Sequence, residues 1–402
     1  MSEGGPPAND ATTERSKEDI PFTTVDDDAF ENSRSLDWEH VRVAGIVFAY
    51  LLLFGGTAYG YSRGDRSVLA LAGQEVQLLD WMTVTALLVL VAVVGPAVVS
   101  NRQKTGAFLR AFLRDRLAAL ALVTLVVLVG AAVAGYPFYT RIEHDVLEAY
   151  QPPVGVAVSD FVATTCVGPV VDGQCHGTMQ YPLGTDHLGR DMIVVTLEGL
   201  RTSIKVGFTA AVITGGIGTI AGLVAGGFPG RADTAIMRYV DLQSAVPAFF
   251  VYVLLIALVG PDYVLLVLVF GLLSWGQVAR IVRSEVVRLR EAGYIRAARA
   301  AGGGSTYRLR VHVLPNVAGS ALVPLTTLVP LYVLYEAALA FLGFGIPRVP
   351  SLGGEIETGL DFQYAEWWMI WWHPLVPATV LTLFVLSILL VGDRINEVAG
   401  PG

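Results

Sequence analysis

Long apolar runs recur along this 402-residue chain, and they limit its fold more than any other feature. A bilayer's hydrocarbon core takes roughly 20 apolar residues in an α-helix. Eight stretches read as spans: 43–60, 81–99, 117–136, 203–227, 246–260, 263–282, 319–343 and 374–392. Only Gly260-Pro261-Asp262 separates the fifth from the sixth, and the fifth is short. Composition agrees, with 53% hydrophobic and 15% charged residues and a mean hydropathy of +0.57. Soluble domains carry about 25% charged residues. The expected fold class is all-α, a polytopic transmembrane helix bundle of about eight spans.

Charge sorts by loop. Arg102, Lys104, Arg110, Arg114 and Arg116 lie between the second and third runs, against the single acid Asp115. Arg231 and Arg238 follow the fourth run. Arg280, Arg283, Arg288, Arg290, Arg296, Arg299, Arg308 and Arg310 follow the sixth. Loop 137–202 instead carries Glu143, Asp145, Glu148, Asp160, Asp172, Asp186 and Asp191. The positive-inside rule then puts both termini in the cytoplasm and 137–202 outside, in a multi-pass plasma-membrane protein. Residues 1–40, with Asp26-Asp27-Asp28, form an acidic cytoplasmic tail expected to be disordered. No apolar core near the start reads as a signal peptide. The net charge of -8 argues against nucleic acid as a partner. Lys occurs only at 17, 104 and 205 among 27 basic residues, a bias that fits a salt-adapted source.

Several residues carry two readings. Cys166 and Cys175, the only cysteines, share the outer loop, where oxidising conditions favour a disulfide; two free thiols are the alternative. His176 and His187 lie nearby, but their spacing matches no metal-ligand motif, so no metal site is expected. Trp367, Trp368, Trp371 and Trp372 read as an interfacial belt on the outer face. Gly218, Gly222 and Gly226 repeat every fourth residue, a face for close helix packing. Glu336 sits inside the seventh run, where a carboxylate is costly and must face a cavity or a partner. It is either a pathway or gate residue or an interhelical hydrogen bond. No catalytic motif is present: no Lys follows a Gly, so GxxxxGK[ST] cannot occur, and HExxH and GxSxG are absent. No catalytic residue and no directly bound cofactor is expected.

The stretch 280–316, RIVRSEVVRLREAGYIRAARAAGGGSTYRLRVHVLPN, is polar and Arg-rich between apolar runs. Residues 284–300 favour a helix, Gly302-Gly303-Gly304 break it, and Ser305 can cap a second short helix. Ala297, Ala298 and Gly302 form AAxxxG, followed by Val313, Leu314 and Pro315. This pattern resembles the coupling loop of permease subunits in ABC importers. The resemblance extends over about 181–397, through YPLGTDHLGRDM at 181–192, GRADTAIMRYVDLQSAVP at 230–247, YEAALAFLGFGI at 335–346 and VGDR at 391–394. These motifs are similar to the second permease type of the dipeptide/oligopeptide/nickel importer family.

The resemblance implies a type I ABC importer permease-like core at 203–397, with the coupling loop at 284–316 docking an ATPase through Arg296, Ala297, Ala298, Gly302, Leu314 and Pro315. It implies a second permease, two ABC ATPase subunits that use the ATP, and an external solute-binding protein, besides the lipid bilayer. Peptides or related small solutes would be the cargo. Two features depart from the family. Arg296 stands where the family has Glu, and the spans 43–60 and 81–99, within the region 41–136, are additions. A secondary transporter or channel without ATPases is the alternative, and a membrane scaffold without transport a third class.

Overall fold

The computed structural model describes residues 50–51, 54–63, 69–71, 74–100, 102–135, 145–159, 161–163, 165–302, 304, 307, 309–314, 317, 323–347, 349–361 and 366–399. The expected tail 1–40, most of the span 43–60, Ser305 and Pro315 lie outside them. Two compact units emerge, residues 1–59 and 60–402. In the first, the described residues are helical, and Tyr50 stacks on Phe54 one turn on.

The second unit is a helix bundle. A short hairpin, β1 (Leu69–Leu71) with β2 (Gln74–Val76), precedes α1 (Leu78–Ser100), α2 (Arg102–Phe112) and α3 (Arg116–Ala134). Asp115 caps α3 by accepting from the amides of Leu117 and Ala118. A three-stranded antiparallel sheet follows, β3 (Ala157–Ser159), β4 (Val170–Val171) and β5 (Gln174–His176), with β5 central. The 36-residue α4 (Met192–Gly227) is the axis of the unit. At 1.5 Å per residue it runs about 54 Å, well beyond one bilayer core. Then come α5 (Arg231–Ser244), α6 (Ala248–Val259), α7 (Tyr263–Leu273), α8 (Gly276–Arg290), α9 (Gly293–Ala300), α10 (Leu325–Leu339), α11 (Leu352–Leu360) and α12 (Trp372–Ala399).

Among the described residues, six helical segments are long and apolar enough to cross a membrane: 78–95, 116–134, 192–227, 263–290, 325–344 and 372–398. The bent pair α5 and α6, turned by 68°, makes a seventh if taken as one span. The expected span 246–260 therefore resolves differently. Its helix α6 has only 12 residues, about 18 Å, too short to cross alone. The fourth span also starts earlier than expected, at Met192, because Asp191 caps α4 there.

Glycine sets the central packing. A Cβ on Gly218 would lie 2.6 Å from Val278, on Gly222 2.7 Å from Val282, and on Gly226 2.7 Å from Val286. Each glycine of α4 thus receives one valine of α8, and the helices approach closely. The α1 helix packs on the same axis toward its N-terminal end. Its Asp80 pairs with Lys205 of α4, and Thr83 shares a 3.0 Å hydrogen bond with Thr209. Leu200, Val333, Leu352, Phe384 and Val385 close a core between α4, α10, α11 and α12. On α3, by contrast, Leu117, Leu120, Val123, Val126 and Val127 are exposed, as lipid-facing side chains would be.

Candidate functional site

Three polar features interrupt this apolar frame. The first is the loop after α8. The helix expected over 284–300 breaks at Glu291 and Ala292, giving α8 and the separate eight-residue α9. Ile295, 2% exposed, anchors α9, while Arg296, Ala297 and Ala300 are exposed and Ala298 is half-buried. Gly302 ends the stretch at φ 87°, a left-handed conformation that side chains with a Cβ adopt at a cost. No atom lies within 4 Å of where its Cβ would be, so the requirement is conformational within this chain. A π-helical turn, Leu309–Val313, leads on to Leu314, 40% exposed. Two contacts fasten the loop to α4. The Leu309 side chain covers Gly227, where a Cβ would come within 2.6 Å, and Arg290 donates to the Gly226 carbonyl at 2.9 Å. Arg283 adds a two-pronged pair to Asp233 of α5, at 2.5 and 2.7 Å.

The second feature is Glu336 on α10, buried to 1% exposure. Ser203 of α4 donates to one of its oxygens at 2.6 Å, and Ser351, at the start of α11, donates to the other at 2.8 Å. Both oxygens are thus used within the protein, and the carboxylate ties three helices together. This contact carries the interhelical reading of Glu336 in this conformation. One turn earlier, Tyr332 shares a 2.9 Å hydrogen bond with Thr214, extending the polar seam between α10 and α4.

The third feature gathers at the end of the bundle that carries residues 145–191. Gly184 and Gly189, at φ 80° and 75°, turn the chain around Asp186. The buried Asp186 carboxylate accepts from the amides of Leu188 and Arg190, at 2.9 and 2.7 Å, and from the Arg190 guanidinium at 2.6 Å. Arg190 reaches on to Glu355 of α11 at 2.9 Å, and the other Glu355 oxygen meets Nε2 of His373 at 3.2 Å. His187 stacks on His373 with ring centroids 5.7 Å apart. Burial pushes the Glu355 carboxyl up, but the His373 hydrogen bond and the Arg190 charge outweigh it and hold the group below the usual carboxylate range. Burial lowers His187, so its imidazole favours the neutral form.

The LGTDHLGRD stretch is therefore a folded turn that positions a charge cluster and caps α4. Trp372 belongs to this region too. It is fully buried, donates to the Thr185 carbonyl at 3.1 Å, and packs with Met192 and Ile370. It is thus no member of an interfacial belt, unlike Trp367, Trp368 and Trp371, which are exposed. Cys166 and Cys175 are joined in a disulfide that links β5 to the turn before β4. His176 lies in β5 and outside the cluster; His187 groups instead with Glu355 and His373. Sequence spacing could not reveal that set, since its members lie on three distant segments.

The family of binding-protein-dependent transport system inner membrane components matches residues 218–402. The chain is 34% identical over 301 residues to the oligopeptide transport system permease protein OppC of Mycobacterium bovis, covering 73% of this chain and 92% of that one. It is 33% identical over 226 residues to the di/tripeptide transport system permease protein DppC of Pseudomonas aeruginosa, covering 56% and 73%. The OppC protein of Bacillus subtilis is 34% identical over 220 residues, 54% and 70% of the two chains.

Proposed function

This chain belongs to the family of binding-protein-dependent transport system inner membrane components, the permease subunits of ABC importers, and from that premise we propose that it conducts peptides across the plasma membrane. The single observation that carries the peptide assignment is its 34% identity over 92% of a protein named as an oligopeptide permease. The chain works with a second permease, two ATPase subunits and an external solute-binding protein. ATP is bound and hydrolysed by the ATPases; this subunit is not catalytic and binds no nucleotide.

The coupling element is the loop from α9 to Leu314. Its exposed small residues, Ala297 and Ala300, let another protein's backbone approach closely, and Ala298, Gly302 and Arg296 complete that surface. Motion of a docked ATPase enters α4 through the Leu309–Gly227 contact and the Arg290 bond to Gly226. It passes to α8 through the interlocked glycines and valines. Glu336 carries it on to α10 and α11 by binding Ser203 and Ser351, and serves as a gate residue if those bonds exchange during the cycle. In this reading both termini and the α8–α10 loop are cytoplasmic, and 145–191 faces the binding protein outside.

Uptake of a labelled tripeptide into proteoliposomes containing the full complex tests the assignment. ATP-dependent uptake that needs the binding protein is the expected result. Uptake by this chain alone, without ATPases, would replace the importer by a secondary transporter.

A further inference from the structure

We propose that His187, Glu355 and His373 form a binding site for a divalent transition-metal ion of the zinc class. One ligand atom from each of the three residues lies within 4.8 Å of the others. Two imidazoles and one carboxylate are a donor set suited to zinc, with bonds of about 2.0–2.2 Å. In a tetrahedral site such bonds place neighbouring ligand atoms about 3.3 Å apart. The His373 Nε2 to Glu355 oxygen distance is already 3.2 Å. The remaining approach falls to His187, whose side chain is 32% exposed and lies in the turn before α4.

Charge and hydrogen bonding both leave room for a cation. The buried carboxylates of Asp186 and Glu355 face one guanidinium, Arg190, so the cluster is one positive charge short when both imidazoles are neutral. Unbalanced buried charge is costly. His373 already turns Nε2 toward Glu355, and the buried Nδ1 of His187 makes no hydrogen bond. A proton on an imidazole would balance the charge. A divalent ion more than cancels the deficit, leaving one net positive charge, and also engages a ring nitrogen. Arg190 does not block the site, because it holds one Glu355 oxygen and leaves the second toward His373. It orients the carboxylate as an outer partner of a metal ligand does.

A bound ion would staple three separate stretches at the 145–191 end of the bundle: the turn before α4, the helix α11 and the start of α12. This site is independent of peptide transport and stands or falls without it.

The test is titration of Co²⁺, and of Zn²⁺ in parallel, into the full-length chain purified in detergent with any affinity tag removed. One Co²⁺ per chain, with visible ligand-field bands, is expected. His187→Ala and Glu355→Gln should each weaken Co²⁺ binding roughly tenfold or more and remove the bands. His176→Ala, in the same loop but outside the cluster, should bind as the unmodified protein does. Zn²⁺, unlike Mg²⁺, should raise the unfolding temperature of the unmodified protein and leave that of His187→Ala unchanged. If Glu355→Gln fails to fold, the partly exposed His187→Ala decides alone. No saturable binding, binding undiminished in His187→Ala, or binding lost in His176→Ala would each overturn the site.

Discussion

At the scale of single residues, Glu336 shows how an intramembrane carboxylate is kept. Its charge or proton has no water to face, so each oxygen takes a serine hydroxyl instead. Glu336→Ala leaves Ser203 and Ser351 without their acceptor and opens a void between α4, α10 and α11. The expected loss is about 2–4 kcal/mol, from unpaired hydroxyls and cavity together. Glu336→Gln keeps the shape and an acceptor oxygen, so it should cost less than half as much. Thermal unfolding of the purified protein measures both. Equal losses for the two variants would mean that the negative charge, and not the pair of hydrogen bonds, is what the site requires. The sequence exposes Glu336 as an acid in an apolar run, yet conceals its partners. Ser203 lies 133 residues away, and a serine in a helix has no pattern that announces a distant acceptor.

At the scale of elements, the glycine row of α4 was legible because periodicity and residue size are both local. Gly218, Gly222 and Gly226 mark a packing face in the sequence, and the structure supplies the valines of α8 that fill it. Gly222→Leu should therefore drive α8 away, since even one Cβ there would sit 2.7 Å from Val282 and from the Ala279 carbonyl. Overpacking of this kind costs about 1–3 kcal/mol or more, and a lower yield of folded protein on size exclusion is the readout. The proposed coupling loop shows its polar, arginine-rich character in composition, and its break carries a local signal as well. Residues 284–300 contain no proline but do contain Gly293, a poor helix former, where α9 begins after α8 ends at Arg290. Gly302 allows a sharp test of docking. Its φ of 87° charges any other residue about 1–2 kcal/mol, and nothing within this chain crowds a side chain there. Gly302→Ala and Gly302→Asp should then differ little in the stability of the isolated subunit. In peptide uptake and ATPase co-purification, Gly302→Asp and Ala298→Asp should abolish both, because a carboxylate would be desolvated in the ATPase groove. Gly302→Ala should retain part of each, and Arg296→Glu most. Normal uptake in Gly302→Asp would remove this loop as the coupling element.

At the scale of the whole molecule, the apolar runs gave away the number and order of most spans, because the bilayer imposes length and hydrophobicity on every one. Where helices end was less legible. The α4 helix begins at Met192, ahead of its apolar run, because Asp191 caps it and Gly199 and Gly207 receive α11 and α10. The apolar run at 246–260 is no straight span, since Pro247 starts a new helix after the 68° bend from α5. The metal-ligand set was illegible altogether, being assembled from a loop and two helices. Orientation follows from charge. Arg231, Arg238, Arg280, Arg283, Arg288, Arg290 and Arg296 all fall between α4 and the α9 loop, and the proposed orientation, with that end in the cytoplasm, rests on the positive-inside rule. Single cysteines in a background without Cys166 and Cys175 test this arrangement. Asp172→Cys, at the exposed turn between β4 and β5, should react with a membrane-impermeant maleimide in intact cells. Ala232→Cys at the start of α5 and Ala301→Cys beside the coupling glycine are also exposed, and both should react only after permeabilisation. Two positions on the inner side keep the result readable if a bound ATPase covers Ala301. Labelling of Ala232→Cys from outside would invert the molecule. The arginine-rich loop would then face away from cytoplasmic ATP, and no ATPase could dock on it.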